Sequence, residues 1–329
     1  MSRMAVKYAV MLAGVLALSC VSVWGQKDWK FAKPGVKSSA IESGQISQEQ
    51  VDRYALHFWD GENVEFLGSR LMSSDANVIL EAETQLVNFF SVILVATPDS
   101  ARKAVNNLLD RAGSSYKIIL DFAEKYFYNV KSPYYREEML LPFYDHKIAR
   151  ADIPEIEKSR EKYLAMLIRR NSVGTKAEAF TFNLIHLPEQ SLYTNGYTHR
   201  PVSLYEIVDI EMTLVSKPLM LVFYSADCRD CLDGIDRLSH SPVVRERVSS
   251  GKMNVLVVCV EGNCSSSVSK MPKDWIVAED TSEGYHKNIV ETSLYSVRQT
   301  PGVYMLDEKG VVQLKDASVS SAIQFLLER

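Results

Sequence analysis

Thirteen consecutive residues lead from an apolar run into a pair of cysteines: Leu219-Met220-Leu221-Val222-Phe223-Tyr224-Ser225-Ala226-Asp227-Cys228-Arg229-Asp230-Cys231. The first six of these residues, Leu219 to Tyr224, form a continuous apolar run. Such a run is typical of a strand that is buried on both faces at the centre of a sheet. Leu232, Ile235 and Leu238 then recur three positions apart, which predicts a helix directly after the cysteines. The sequence therefore predicts that Cys228 and Cys231 lie where a central strand ends and a helix begins.

A Cys-x-x-Cys pair at the start of a helix is suited to thiol–disulfide exchange. The unpaired N–H groups and the dipole of the helix stabilise a thiolate at Cys228. Cys231 lies about one turn later on the same face, where it can resolve a mixed disulfide formed at Cys228. Arg229 favours the thiolate, whereas Asp227 and Asp230 disfavour it, so we treat these three residues as modulating.

Strands and helices continue to alternate after the cysteines. The predicted elements are a helix over 232–250, a strand over 255–260, a helix over 285–297, a hairpin over 303–314 and a closing helix over 322–327. The order is β-α-β-α-β-β-α, and the Cys-x-x-Cys pair follows the first of these strands. Thr300-Pro301 stands just before the hairpin.

The region from 174 to 329 resembles the thioredoxin-like superfamily, in particular the membrane-facing TlpA/ResA-type thiol–disulfide oxidoreductases. The resemblance rests on the order of strand, Cys-x-x-Cys, helix and Thr300-Pro301. It implies a central mixed sheet flanked by helices, a cis peptide bond before Pro301, and a substrate site shaped by Thr300 and Pro301. The whole chain resembles a bacterial envelope family in which a helical N-terminal domain precedes such a domain.

Three positions depart from the pattern of that superfamily. Asp227 replaces the usual Trp before the first cysteine, Asp230 replaces the usual Pro before the second, and Val222 stands where thioredoxin itself has a buried carboxylate. We expect these changes to alter the reduction potential and the substrate surface. The alternative interpretation of Cys228 and Cys231 is a purely structural disulfide.

A second pair of cysteines follows the strand predicted over 255–260. Parallel strands end at the same edge of a sheet, so Cys259 and Cys264 should lie on the same edge as Cys228. The turn-forming residues 261–263 permit a Cys259–Cys264 bridge, which would be a second redox pair, or place Cys264 near Cys228 as a regulatory thiol. The simpler interpretation is a buried, apolar Cys259 and an exposed Cys264 thiol. The spacing of the four cysteines does not favour a metal site, and we predict none.

The N-terminal half has a helical pattern. Thr97 and Pro98 have the sequence of an N-cap and a first helical position. Helices are predicted over 47–59, 77–95, 98–112, 115–126, 133–149 and 153–170. Short connections between amphipathic helices predict an all-α bundle over 47–173. Alternation over 180–184 then predicts a strand, so the thioredoxin-like domain is expected to cover 174–329.

The first 25 residues have the pattern of an export signal. Arg3 and Lys7 precede an apolar run over 8–23 that is too short to span a bilayer comfortably. We predict a signal peptide over 1–25 that is cleaved near Gly25, followed by a linker over 26–46. The alternatives are a lipoprotein anchored at Cys20 and an uncleaved anchor.

Length and composition restrict the classes of function. A chain of 329 residues suits two domains, and 47% hydrophobic with 24% charged residues is typical of a folded protein. The net charge of −4 gives no basic surface for nucleic acid, so no nucleic-acid partner is predicted.

The predicted function is a thiol–disulfide oxidoreductase of the periplasm or cell envelope, with Cys228 as nucleophile and Cys231 as resolving thiol. It would act on protein thiols and disulfides, receive electrons from a partner dithiol, and need no cofactor. The alternative is a non-catalytic binding module, in which the thioredoxin-like domain is a scaffold and the helical domain recognises an envelope partner.

Overall fold

The structure is a computed structural model that describes residues 46–186, 201–203, 217–280, 289, 293–298 and 300–329. The predicted signal peptide, the Cys20 alternative and nearly all of the predicted linker lie outside these residues. Most of the helix predicted over 285–297 also lies outside them, and its described residues, 289 and 293–297, are not helical.

The chain divides into two compact units. The first comprises the described residues up to Phe122 together with Ser132–Tyr134, and the second comprises Ala123–Lys131 and Tyr135–Arg329. The second unit therefore includes part of the helical region as well as the whole sheet. The domain limits at 25, 46 and 173 stay predictions.

From residue 46 to the start of the sheet, helices are the only regular elements, as predicted. They are α1 (Gln48–His57), α2 (Leu67–Leu71), α3 (Ala76–Ile93), α4 (Pro98–Asp110), α5 (Tyr116–Phe127), α6 (Leu141–Ala149) and α7 (Ser159–Arg169). Ser47 starts α1 with a capping box that it shares with Gln50. Pro98 opens α4 with Thr97 as its N-cap residue, as predicted. No helix among the residues that the structure describes is long and apolar enough to cross a membrane.

The two helices predicted over 133–149 and 153–170 are shorter than expected. Each is preceded by a 3₁₀ turn, Glu137–Leu140 before α6 and Glu155–Lys158 before α7. Pro142 occupies the first turn of α6. Proline has no N–H and its ring clashes with the preceding turn of a helix, so α6 cannot extend back through this residue.

A mixed sheet forms the centre of the second unit, as predicted. Its strands are β1 (Thr181–His186), β2 (Pro201–Ser203), β3 (Leu219–Ser225), β4 (Asn254–Glu261), β5 (Ile276–Asp280), β6 (Gly302–Leu306) and β7 (Val312–Ala317). The seven strands of the described chain lie in the order β2-β1-β5-β4-β3-β6-β7. β4 pairs in parallel with β3 and β5, and the remaining pairs are antiparallel. Strands β2 and β5 are short and were not predicted.

Strand β3 is buried along its whole length, as the apolar run predicts. Met220, Val222 and Tyr224 belong to one hydrophobic cluster, and the residues between them belong to another. Successive side chains of a strand point to opposite faces, so the two clusters lie on the two sides of the sheet. Burial on both sides fixes the place where β3 ends, and hence the place of the cysteines.

Among the described residues, four α-helices follow β3: α8 (Arg229–His240), α9 (Pro242–Ser249), α10 (Cys264–Ser267) and α11 (Val319–Leu327). The single helix predicted over 232–250 is divided between α8 and α9, because Pro242 starts a new helix after an extended Ser241. Ile235 and Leu238 on α8 are buried in the same cluster as Val222. This packing holds the start of α8 against the end of β3.

Candidate functional site

Cys228 is the N-cap residue of α8. Its Sγ atom accepts a hydrogen bond from the backbone N–H of Cys231 at 3.2 Å. The backbone N–H of Cys228 donates a hydrogen bond to the carbonyl oxygen of Ser225 at 3.3 Å. Both cysteines are free thiols; Cys228 is half-buried and Cys231 is buried. The helix therefore directs an N–H group at the sulphur that solvent can reach.

The Cys231 thiol is buried next to the more exposed Cys228. Burial raises the pKa of Cys231, and the neighbouring Cys228 sulphur acts in the same direction. Hydrogen bonds from the Thr300 side chain and the Ser225 backbone partly oppose this rise. Cys231 is therefore protonated at neutral pH. This is the state expected of a resolving thiol, which reacts only after Cys228 has formed a mixed disulfide.

Thr300 and Pro301 complete the site. Their peptide bond is cis, in agreement with the expectation from sequence, and the Thr300 side chain acts to lower the pKa of Cys231. Gly234 allows α8 to pack closely against Pro301, because a Cβ atom built on Gly234 would lie only 2.7 Å from Cγ of Pro301. The structure thus brings together the four residues that the sequence proposed for catalysis and substrate binding.

We expect Gly234→Ala to destabilise the protein even though alanine is the better helix former by about 1 kcal/mol. The added methyl group cannot fit at 2.7 Å from a proline ring, and such overpacking costs about 1–3 kcal/mol. Denaturant unfolding measures the loss, and alkylation of Cys231 reports whether Pro301 has moved away. Asp233→Ala is the matched control, because this exposed neighbour gains helix propensity without a clash. A stabilised Gly234→Ala variant would contradict the close packing.

The three modulating residues are all exposed. The Arg229 side chain is 93% exposed, and its nearest anionic partner is Asp233, at 3.9 Å from Nε to Oδ2. Solvent and salt screen such a charge, so its effect on Cys228 is smaller than the sequence alone suggests. Asp227 differs, because its carboxylate lies against Gly262.

Cys259 and Cys264 form a disulfide. The interpretation of a buried apolar cysteine beside an exposed free thiol is therefore wrong. β4 ends at Glu261, and Gly262, with φ +88°, reverses the chain, so that the Cα atoms of the two cysteines lie 5.7 Å apart. Their use as a redox pair stays a prediction.

A buried ionic cluster lies two residues before Thr300. The Arg298 guanidinium lies 2.5 Å from Oε2 of Glu137 and 3.4 Å from Oδ2 of Asp316, and Nζ of Lys315 lies 2.7 Å from Oε1 of Glu137. Burial raises the pKa of Glu137 to about 7 against the opposing effect of Lys315, and burial also raises the pKa of Asp316. The cluster connects the 3₁₀ turn before α6 to the segment that leads into Thr300.

Gly234 and the ionic cluster were not singled out from the sequence, and Gly262 was recognised only as part of a turn. An isolated glycine inside a helical pattern can indicate close packing, and Gly234 is such a glycine in the pattern that follows Cys231. No local sequence pattern indicated the ionic cluster, because Glu137 and Arg298 are far apart in the chain and neither belongs to a motif in its own segment.

A solved structure matches almost the entire chain. A thioredoxin-like protein from Bacteroides caccae ATCC 43185 has a TM-score of 0.69 and 23% sequence identity, and the match covers 92% of this chain and 100% of that protein. The chain has a thioredoxin-like fold. At this identity the match shows the fold alone.

Other comparisons cover parts of the chain. Residues 45–171, before the thioredoxin-like domain, match the family model described as Domain of unknown function (DUF5106). A conserved protein of unknown function from Bacteroides fragilis is 26% identical over 47% of this chain and 98% of its own length, with a TM-score of 0.36. The thioredoxin domain of a thiol-disulfide oxidoreductase from Bacteroides vulgatus is 13% identical over 47% of this chain and 98% of that domain, with a TM-score of 0.31. No curated protein matches the chain in sequence.

Proposed function

We propose that the protein is a thiol–disulfide oxidoreductase that acts on protein thiols and disulfides through Cys228 and Cys231. The observation that carries this proposal is the hydrogen bond from the Cys231 N–H to the half-buried sulphur of Cys228 at the start of α8. A donor directed at the sulphur stabilises its thiolate, which is the attacking species in thiol–disulfide exchange. The buried Cys231 thiol and the loop of Thr300 and Pro301 adjoin it, so the parts that the reaction needs occupy one place.

Reduction of a substrate disulfide proceeds in two exchanges. The Cys228 thiolate attacks one substrate sulphur, which forms a mixed disulfide and releases the other substrate sulphur as a thiol after protonation. Cys231 then loses its proton and attacks the Cys228 sulphur, which closes the Cys228–Cys231 disulfide and releases the second substrate thiol. A partner dithiol returns the pair to its reduced form by the same two steps, and oxidation of a substrate dithiol is the reverse sequence.

We place this activity in the cell envelope. The first 25 residues have the pattern of a signal peptide, and Cys20 is the alternative lipid-bearing residue. The Cys259–Cys264 disulfide supports the proposal, since disulfides form mainly in oxidising compartments. The helical domain is available to recognise an envelope partner that carries the thiols.

A glutathione redox titration with mass-spectrometric assignment of the cysteine pairs tests the proposal. We expect a Cys228–Cys231 couple with a potential of roughly −120 to −270 mV, the range of working oxidoreductases. Its position in that range indicates whether the protein oxidises or reduces its substrates. A pair that remains oxidised below about −300 mV, or thiols that never pair, would instead favour the binding-module interpretation.

A further inference from the structure

The Cys259–Cys264 disulfide closes a four-residue turn, residues 260–263, at the end of β4. We call these residues the disulfide turn. On its far side the chain continues into α10, which has only four residues. Ser267 at the end of α10 bonds to the hydroxyl of Tyr224 at 2.7 Å, which fixes that end to β3. The covalent bond joins the start of α10 to β4.

The disulfide turn lies directly on the residues that precede Cys228. The backbone N–H of Ala226 donates to the carbonyl oxygen of Glu261 at 2.8 Å. A Cβ atom built on Gly262 would lie 2.6 Å from Oδ2 of Asp227 and 3.2 Å from the Asp227 nitrogen. Gly262 therefore bounds the space that the Asp227 carboxylate can occupy, one residue from the reactive sulphur.

The two sulphurs of this disulfide differ in accessibility. Cys259 is 1% exposed, whereas Cys264 is only partly buried at the edge of the same hydrophobic cluster as Cys228. An external thiolate can therefore reach the bond at Cys264, and Cys259 is the leaving sulphur.

We propose that the Cys259–Cys264 disulfide is a regulatory redox site that sets the reactivity of Cys228 through the contact between Gly262 and Asp227. It rests on the proposed function in taking Cys228 as the nucleophile, and it assigns a regulator to that site. A dithiol reductant attacks Cys264, forms a mixed disulfide and frees the Cys259 thiol. The second thiol of the reductant then displaces Cys264, so the reductant leaves as a disulfide and both cysteines become thiols.

The direction of control follows from the charge of Asp227. With the bond closed, Gly262 confines a carboxylate beside Cys228, and a neighbouring negative charge disfavours the thiolate. With the bond open, the disulfide turn relaxes and no longer holds the exposed Asp227 carboxylate in place, so the carboxylate can move away from Cys228 and its effect on the thiolate weakens with distance. Reduction of Cys259–Cys264 therefore activates Cys228.

The rate of Cys228 alkylation by iodoacetamide at pH 7, followed by peptide mass spectrometry, tests this proposal. The background is Cys231→Ala, so that Cys228 cannot form its own disulfide. We expect Cys228 to react at least about threefold faster when Cys259 and Cys264 are both replaced by Ala than when their bond is intact. Adding Asp227→Asn should make the two rates equal, since no carboxylate remains to be moved.

A third variant keeps the disulfide. Gly262→Ala places a methyl group where the Asp227 carboxylate lies and strains the backbone of the turn at φ +88°. Both effects displace the carboxylate, so Cys228 should react at the faster rate although the bond is closed. It also serves if the variant without Cys259 and Cys264 fails to fold. Equal Cys228 rates with the bond closed and open, or no acceleration in Gly262→Ala, would overturn the proposal. Alkylation of Cys228 needs no exchange activity, so a failed redox titration beside an intact rate difference would reject the proposed function and leave this coupling standing.

Discussion

Replacing Cys228 by Ser should lower the rate of insulin disulfide reduction at least about a thousandfold, because a serine hydroxyl does not ionise near neutral pH and cannot form the mixed disulfide. The fold should survive the change. Cys228 is the N-cap residue of α8, and serine is among the best residues for that position, so the hydrogen bond from the Cys231 N–H is retained. Turbidity of reduced insulin measures the activity, and thermal unfolding measures the stability.

Two further variants make this result specific. Cys231→Ser retains the nucleophile but lacks the resolving thiol, so it should accumulate mixed disulfides at Cys228 that non-reducing electrophoresis detects. Replacing both Cys259 and Cys264 by Ala should retain exchange and accelerate it, because neither sulphur takes part in the two steps and the opened turn activates Cys228. If Cys228→Ser reduced insulin as fast as the unaltered protein, Cys228 would not be the nucleophile and the domain would be better interpreted as a scaffold.

The position of the cysteines could be predicted from the sequence because local pattern determines it. The apolar run of β3 predicts a strand buried on both faces, and the period of three after Cys231 predicts α8. Each signal lies within one segment, and the structure confirms both. Strands β2 and β5 were missed because each is short, and the pairing that makes them strands involves partners distant in the chain.

The Cys259–Cys264 disulfide could not be predicted from the local sequence pattern. Residues 261–263 were recognised as turn-forming, but the sequence did not decide between a bridge and two free thiols. The decision depends on how tightly the chain reverses, which the positive φ of Gly262 allows. The contact of Gly262 with Asp227 depends further on the pairing of β3 with β4, which composition does not reveal.

Replacing Arg298 by Ala should reduce the free energy of unfolding by about 3–5 kcal/mol, because it removes a cation from two buried carboxylates, of which Glu137 still pairs with Lys315. The Arg298 side chain is 16% exposed, that of Glu137 is 9% exposed and that of Asp316 is 1% exposed. The guanidinium also lies over two aromatic rings, 4.4 Å from the ring centre of Tyr128 and 4.9 Å from that of Tyr135. Urea unfolding at pH 8 measures the loss.

Arg102→Ala is the matched control. Arg102 also pairs with a carboxylate, at 2.5 Å from Asp99, but its side chain is 60% exposed. Exposed pairs contribute about 0–1 kcal/mol, so this variant should unfold nearly as the unaltered protein does. A loss at Arg298 no larger than the loss at Arg102 would contradict the role of burial in the cluster.

The loss at Arg298 should also depend on pH. Burial already raises the pKa values of Glu137 and Asp316 above those of the unfolded chain, and removal of Arg298 raises them further. The folded variant then binds more protons than the unfolded chain, so its stability falls as pH rises through the range between the unfolded and folded pKa values. The difference between Arg298→Ala and the unaltered protein should therefore be smaller at pH 5 than at pH 8. A loss that came only from the missing contacts with Tyr128 and Tyr135 would be the same at both pH values, so this comparison separates charge from packing in the segment that leads to Thr300 and Pro301.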